Sequence, residues 1–239
     1  MTLDTSIHKN ILVQILIDIY TDTTISPYLG FKGGTAAYLF YGLPRFSVDL
    51  DFDLLDQTQE DFVLERITSI LKKYGVILEA EKKRHNLLFI LSYHNKPKHG
   101  QNVKIDINRR SFGSRYDVKA FNGISMLVMI QEDMFANKLV AMHERLGQTN
   151  RDIFDVWFFS KSNWSINKEL VEKRMEMKYV DFLSNCAKEL ESMNNHNILH
   201  GLGELLTESQ KAWAKAKLKM ETVIQLKLRL ENEMAVATD

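Results

Sequence analysis

Polar and apolar residues alternate strictly over residues 47–55. Ser47, Asp49, Asp51 and Asp53 fall on one side of an extended chain, and Val48, Leu50, Phe52 and Leu54 on the other. Side chains of a strand point alternately to its two faces, so this is a half-buried strand with an acidic open face. Val103, Ile105 and Ile107 alternate in the same way with Lys104, Asp106 and Asn108, giving a second half-buried strand whose polar face carries a carboxylate. Residues 87–93 form a β-rich apolar run. Helical spacing frames these strands: Ile7, Ile11, Ile15 and Ile19, widened by Leu12 and Leu16, make one apolar stripe, and Val63, Ile67, Ile70, Leu71 and Tyr74 make another. Between them a short strand around residues 28–31 runs into Gly33-Gly34-Thr35, and residues 36–41 read as a short helix closed by Gly42 and Pro44.

After Gly123 the strand signals fade. Residues 131–145, 151–160, 168–194 and 202–234 all read as helices, with Asn150 as the N-cap of the second. The expected architecture is α+β: an N-terminal α/β domain with a mixed sheet over residues 1–123, then a C-terminal helical domain over residues 124–239, the break lying near residues 120–130.

Composition changes this picture in three places. A hydrophobic content of 45% is ample for a sizeable core. Lys+Arg and Asp+Glu both total 31, so there is no overall cationic character, and a nucleic-acid partner needs a local patch. Two stretches offer one: Lys104, Arg109, Arg110, Arg115 and Lys119, and Lys211, Lys215, Lys217, Lys219, Lys227 and Arg229. The alternative for each is a solvated face. The one cysteine, Cys186, fits a small buried hydrophobe on a helix and a reducing compartment. No apolar run approaches the roughly 20 residues that span a membrane, and no leader pattern opens the chain, so a cytoplasmic protein is expected.

Three aspartates on one strand face repel each other, and a purely structural strand has no reason to carry them. Divalent cations reverse that balance. Mg²⁺ prefers carboxylate oxygens and is commonly completed by substrate phosphates, so Asp49 and Asp51 suit a nucleotide-bound ion, with Mn²⁺ as a substitute. Asp106, on a neighbouring strand, is the candidate third ligand for a second ion that activates an attacking hydroxyl. Gly33-Gly34-Thr35 supplies the complement, because glycines admit close approach of a phosphate and the helix N-terminus offers unpaired N–H groups.

Gly34-Thr35 followed by Asp49-Leu50-Asp51-Phe52 resembles the signature of the DNA polymerase beta-like nucleotidyltransferases. The longer string is more specific. Lys32-Gly33-Gly34-Thr35-Ala36, then Gly42-Leu43-Pro44-Arg45-Phe46-Ser47, then Asp49-Leu50-Asp51-Phe52 resembles the AbiEii nucleotidyltransferase toxins of abortive-infection systems. Lys138 with Leu139, Ala141 and Arg145 is similar to that family's helical lysine motif. Arg151-Asp152-Ile153-Phe154-Asp155-Val156 is similar to its Arg-Asp-x-x-Asp motif, and Leu202-Gly203-Glu204-Leu205-Leu206 fits its C-terminal pattern. The likeness runs from about residue 30 to about residue 230.

The resemblance implies a toxin that transfers a nucleoside monophosphate from an NTP to an acceptor, the tRNA 3′ end for some members, with an antitoxin encoded nearby. It also implies that Asp49, Lys138 and a later aspartate, Asp152 or Asp155 according to helix rotation, are essential. In the resulting scheme Asp49 and Asp51 hold two Mg²⁺ ions and Asp106 shares one with the attacking hydroxyl. Gly33, Gly34 and Thr35 contact the β- and γ-phosphates through backbone and hydroxyl, Lys138 meets the triphosphate, and Asp152 orients Lys138 or Arg45. Arg45 is either a further phosphate ligand or a surface turn residue. Ser47 is either a phosphate contact or modified residue, or a local hydrogen-bond donor. Asp53 reads as solvent-facing, and no histidine is assigned a site. The alternatives are transfer to a protein hydroxyl and a catalytically inactive binding module.

Overall fold

The computed structural model describes residues 5–93 and 102–236, so His94 and His99 lie outside the described residues. The chain divides into two compact units, residues 1–130 and 131–239. The observed architecture is α+β, with a mixed seven-stranded sheet in the first unit and helices in the second.

In the first unit the chain runs through α1 (Thr5–Thr21), β1 (Leu29–Lys32), α2 (Gly33–Phe40), β2 (Asp49–Leu54) and α3 (Glu60–Leu71). It continues through β3 (Val76–Lys82), β4 (Asn86–Ser92), β5 (Asn102–Asn108), β6 (Tyr116–Phe121) and β7 (Ile124–Met129). The sheet order is β3-β4-β5-β2-β1-β7-β6. β2 sits centrally, antiparallel to β1 and parallel to β5, which sets Asp51 directly beside Asp106 and Asp49 beside Lys104. Leu50, Phe52, Val103, Ile105, Ile107, Leu87 and Phe89 are buried on the face that receives α1 and α3. Their alternate partners, the aspartates among them, are only half-buried.

Several elements depart from the sequence expectation. The strand signals do not end at Gly123: Ile124–Met129 is a strand, paired with β6 through a tight turn in which Asn122 and Gly123 both take positive φ, 48° and 79°. That is the backbone a two-residue hairpin of matching twist requires. β3, a sheet edge, had no clear signal either. The inward stripe of α1 is His8, Leu12, Ile15, Leu16, Ile19 and Tyr20. Ile7 is exposed, so the helix is rotated from the expected face, and a buried histidine takes the position where an isoleucine was expected.

The second unit contains α4 (Gln131–Glu144), α5 (Arg151–Lys161), α6 (Lys168–Met175), α7 (Tyr179–Ser192), α8 (Glu208–Trp213) and α9 (Lys219–Val236), with a π-helical turn over Ala214–Leu218 before α9. Phe135, Phe154, Phe159, Phe182 and Leu183 are fully or almost fully buried, and Trp164 stacks on Phe159 at 4.1 Å. The aromatic run of α5 is therefore core packing. The single helix expected over residues 168–194 is two helices, because Glu176 turns left-handed (φ 53°) and the Glu172 carboxylate accepts the Tyr179 amide at 2.8 Å, starting α7. The long helix expected over residues 202–234 is likewise broken. Thr207 and Gln210 form a reciprocal capping box that starts α8 afresh. Asn150 holds the N-cap position of α5 but its side chain makes no cap; it donates to the Asn197 carbonyl at 2.7 Å.

Gly30 on β1 shows how tightly the open face of the sheet is fitted. The Tyr116 ring lies over its bare Cα, so a Cβ there would overlap the ring, and this position lets the Tyr116 hydroxyl donate to Asp53. Gly30→Ala is expected to destabilise the first unit by about 1–3 kcal/mol, the usual cost of overpacking. In a Tyr116→Ala background the same change should cost well under half as much, which a double-mutant cycle by urea denaturation measures.

Candidate active site

The acidic face is built on β2 and β5, and each carboxylate has a different environment. Asp53, expected to face solvent, is instead held in place. Lys32 Nζ and Asn108 Nδ2 donate to its Oδ1 at 2.5 and 2.7 Å, and the Tyr116 hydroxyl donates to Oδ2. This makes it a structural anchor between β1, β2, β5 and β6. Asp106 receives Asn86 Nδ2 at 3.0 Å on one oxygen and Lys104 Nζ at 2.9 Å on the other. Asp51 stands beside Asp106 in register, and Asp49 and Asp51 share the half-buried face with Asp53.

The glycine turn meets this face directly. Gly33 has φ +77°, a conformation L side chains rarely adopt, and a Cβ on it would overlap the Asp51 carboxylate. α2 begins at Gly33 rather than at Ala36, so the two glycines form the first helical turn and their N–H groups have no partner within the helix. A Cβ on Gly34 would fall 2.8 Å from Ser47 Oγ and 2.9 Å from Arg45 Nη2. Ser47 and Arg45 are thus packed against the turn. Arg45 is buried, not a surface turn residue, and donates to the Phe46 carbonyl at 2.9 Å. Thr35 is buried too, and its hydroxyl donates to the Asp49 carbonyl. That bond ties the turn to the acidic strand and occupies the hydroxyl expected to reach a phosphate.

His8 escaped the sequence reading. Its Nε2 lies 2.9 Å from the Val48 carbonyl and its Nδ1 2.8 Å from the Tyr93 hydroxyl. A carbonyl only accepts, so Nε2 carries the proton and Nδ1 accepts from Tyr93. Burial pushes the imidazole below its ordinary pKa, against the raising effect of the Val48 bond. With Thr35 on the Asp49 carbonyl and His8 on the Val48 carbonyl, the backbone entering the acidic strand is fixed on both sides of the Asp49 amide. The signal was a polar residue inside an otherwise apolar helical stripe.

The donor chemistry fits a hard divalent ion, since Asp49, Asp51 and Asp106 share one face and Asp51 and Asp106 are adjacent in register. Among the described residues no three acidic, histidine or cysteine side chains already converge as a metal site, and both Asp106 oxygens have nitrogen partners.

Within the second unit, Lys138 on α4 lies between two carboxylates of α5. Its Nζ is 2.9 Å from Asp152 Oδ1 and 2.7 Å from Asp155 Oδ2. Both aspartates are fully buried, so helix rotation does not choose between them: both face the lysine. Arg145 Nη2 approaches Asp152 Oδ2 at 2.6 Å as an ion pair without hydrogen-bond alignment. The basic stretches are largely engaged. Arg109 pairs with Glu60, Lys211 with Glu208 and Lys227 with Glu191, Lys219 donates to the Met193 carbonyl, and Arg229 to the Trp164 carbonyl. Lys215 and Lys217, on the π-helical turn, are exposed.

Residues 14–228 match the family model described as nucleotidyl transferase AbiEii toxin, type IV toxin–antitoxin system. No curated protein matches. Among solved structures, JHP933 from Helicobacter pylori is similar over 100% of this chain and 98% of its own, at 22% identity and a TM-score of 0.63. MenT4, a nucleotidyltransferase toxin from Mycobacterium tuberculosis, is similar over 98% of this chain and 93% of its own, at 17% identity and a TM-score of 0.61. At such identities the likeness is one of fold. Among the described residues no helix is long and apolar enough to cross a membrane.

Removing Lys138 takes the cation from between two buried carboxylates, with Arg145 still beside Asp152. Lys138→Met is expected to cost the second unit about 3–5 kcal/mol, the penalty for removing one partner of a buried ion pair. Restoring neutrality with Asp155→Asn in the same chain should recover a substantial part. Urea denaturation followed by tryptophan fluorescence measures both, since Trp157, Trp164 and Trp213 all lie in this unit.

Proposed function

The chain belongs to the AbiEii family of nucleotidyltransferase toxins, and we propose that it transfers a nucleoside monophosphate from an NTP to an RNA 3′ end, a tRNA in particular, using the acidic face of β2 and β5. One observation carries this reading: the bare Cα of Gly33 lies directly against the Asp51 carboxylate, with Asp106 in register on the neighbouring strand. The helix N-terminus that suits a phosphate and the acids that suit a cation therefore share one site.

Divalent ions, Mg²⁺ or Mn²⁺, when held by Asp49, Asp51 and Asp106, supply charge neutralisation at the α-phosphate and at the attacking hydroxyl. The protein's own groups do the positioning. The N–H groups of Gly33 and Gly34 take the β- and γ-phosphates, with Arg45 and Ser47 bracing the turn beneath them. Thr35 and His8 fix the backbone around Asp49, so that its carboxylate keeps one orientation through the displacement. Asp106 accepts the proton of the acceptor 3′ hydroxyl as its oxygen attacks phosphorus, and pyrophosphate leaves. Lys138, a point charge held by Asp152 and Asp155 within the second unit, lies in the stretch that resembles the family's helical lysine motif. The family's type IV toxin–antitoxin assignment supports a cognate antitoxin, and the enzyme works in the cytoplasm, where NTPs and RNA are at hand.

Incubation with α-labelled NTP, total RNA and total protein tests the reaction. Label is expected on RNA, and Asp49→Ala or Asp51→Asn should lower it about a thousandfold while the protein stays folded. Label on protein alone would overturn the RNA acceptor, and no label on either would overturn the enzyme. Expression without a partner protein is expected to arrest growth, and Asp49→Ala to relieve the arrest. A harmless wild type in that assay would count against the toxin role.

A further inference from the structure

Lys104 is placed where the acidic face needs a cation. It stands opposite Asp49 on the neighbouring strand and two residues before Asp106, on the same side of the sheet. Its Nζ lies 2.9 Å from Asp106 Oδ2, while Asn86 occupies Oδ1. Its ammonium thus holds one of the carboxylates that a divalent ion would use. Lys32, the lysine on the other flank of β2, is committed to Asp53.

We propose that Lys104 is the resident counter-cation of this face: it neutralises the acids while no divalent ion is bound, and it must release Asp106 before that carboxylate can turn to an ion, so Lys104 sets the affinity of the site. The inference rests on the reading of Asp49, Asp51 and Asp106 as ion ligands. A further observation agrees with it. The side chain is 43% exposed, so the ammonium on its flexible four-carbon stem has a route to water when displaced. An ordinary exposed ion pair would contribute little. This one occupies an oxygen of Asp106, a carboxylate that the ion itself would use.

The test is calorimetric titration of the metal-free, nucleotide-free protein with Mn²⁺, so that activity plays no part in the readout. Lys104→Met is expected to bind Mn²⁺ about tenfold more tightly than wild type, because the ion no longer displaces a charged hydrogen bond. Without Mn²⁺ the same variant should melt lower than wild type, and the rise in melting temperature on adding Mn²⁺ should be larger. Lys104→Arg, which keeps the charge, should stay close to wild type in affinity, and Lys104→Gln serves if the methionine variant does not fold. Wild type and Lys104→Met binding Mn²⁺ equally, or the variant more weakly, would overturn the counter-cation role and leave the metal reading standing. Absence of Mn²⁺ binding from both folded proteins, or binding unaffected by Asp51→Asn, would overturn the metal reading and the inference with it.

Discussion

Like charge on one side of a sheet is the constraint that the first unit is built around. β2 presents Asp49, Asp51 and Asp53 on one face, and β5 adds Asp106 beside them. Left alone, that row would favour the unfolded chain, where the carboxylates separate and hydrate. The fold offsets Asp53 and Asp106 differently. Asp53 has a lysine, an amide and a phenol, Asp106 an amide and a lysine, and these partners come from β1, β4, β5 and β6. Compensation of the acids is therefore also what cross-links the open face of the sheet. Beside Asp106 in register, Asp51 adjoins the glycine turn, where a side chain on Gly33 would have filled the space.

The second unit solves the same electrostatic problem in the opposite sense. Asp152 and Asp155 are fully buried one helical turn apart, and Lys138 sits between them at hydrogen-bonding distance. Removing one partner of a buried ion pair costs several kcal/mol, so α4 and α5 depend on this triad staying complete. The lysine stem packs in the apolar layer and its head is fixed by two acids, which gives its charge one direction.

How much of this was legible in the sequence depended on whether the signal was periodic or conformational. The half-buried strands, the adjacency of Gly33-Gly34-Thr35 to the acidic strand and the helical second half all follow from alternation and spacing, and the structure has them. The β6–β7 hairpin is legible as well, because Asn122-Gly123 is a strong two-residue turn signal between two runs of six residues. The capping box of Thr207 and Gln210 was legible too. The break at Glu176 was not, because a non-glycine residue in the left-handed region leaves no compositional mark. Nor was the role of Asp53 or of His8, since their partners lie on strands and helices 21 to 85 positions away along the chain.

The contrast between the two units governs how substitutions in them can be interpreted. Asp49 and Asp51 are half-buried on the open face of the sheet, outside the hydrophobic core, so a loss of transfer in a variant there that stays folded reports on chemistry. Asp152, Asp155 and Lys138 are interior and mutually dependent, so neutralising Lys138 takes the cation from two buried carboxylates at once, and loss of function follows from loss of structure as readily as from loss of a phosphate contact. Essentiality alone therefore weighs less for Lys138 than for Asp49, even though both positions fall in motifs of the family. What separates the two explanations for Lys138 is a pair of changes that restores electrical balance in the interior without restoring the cation: if stability returns and transfer does not, the ammonium itself is required by the reaction.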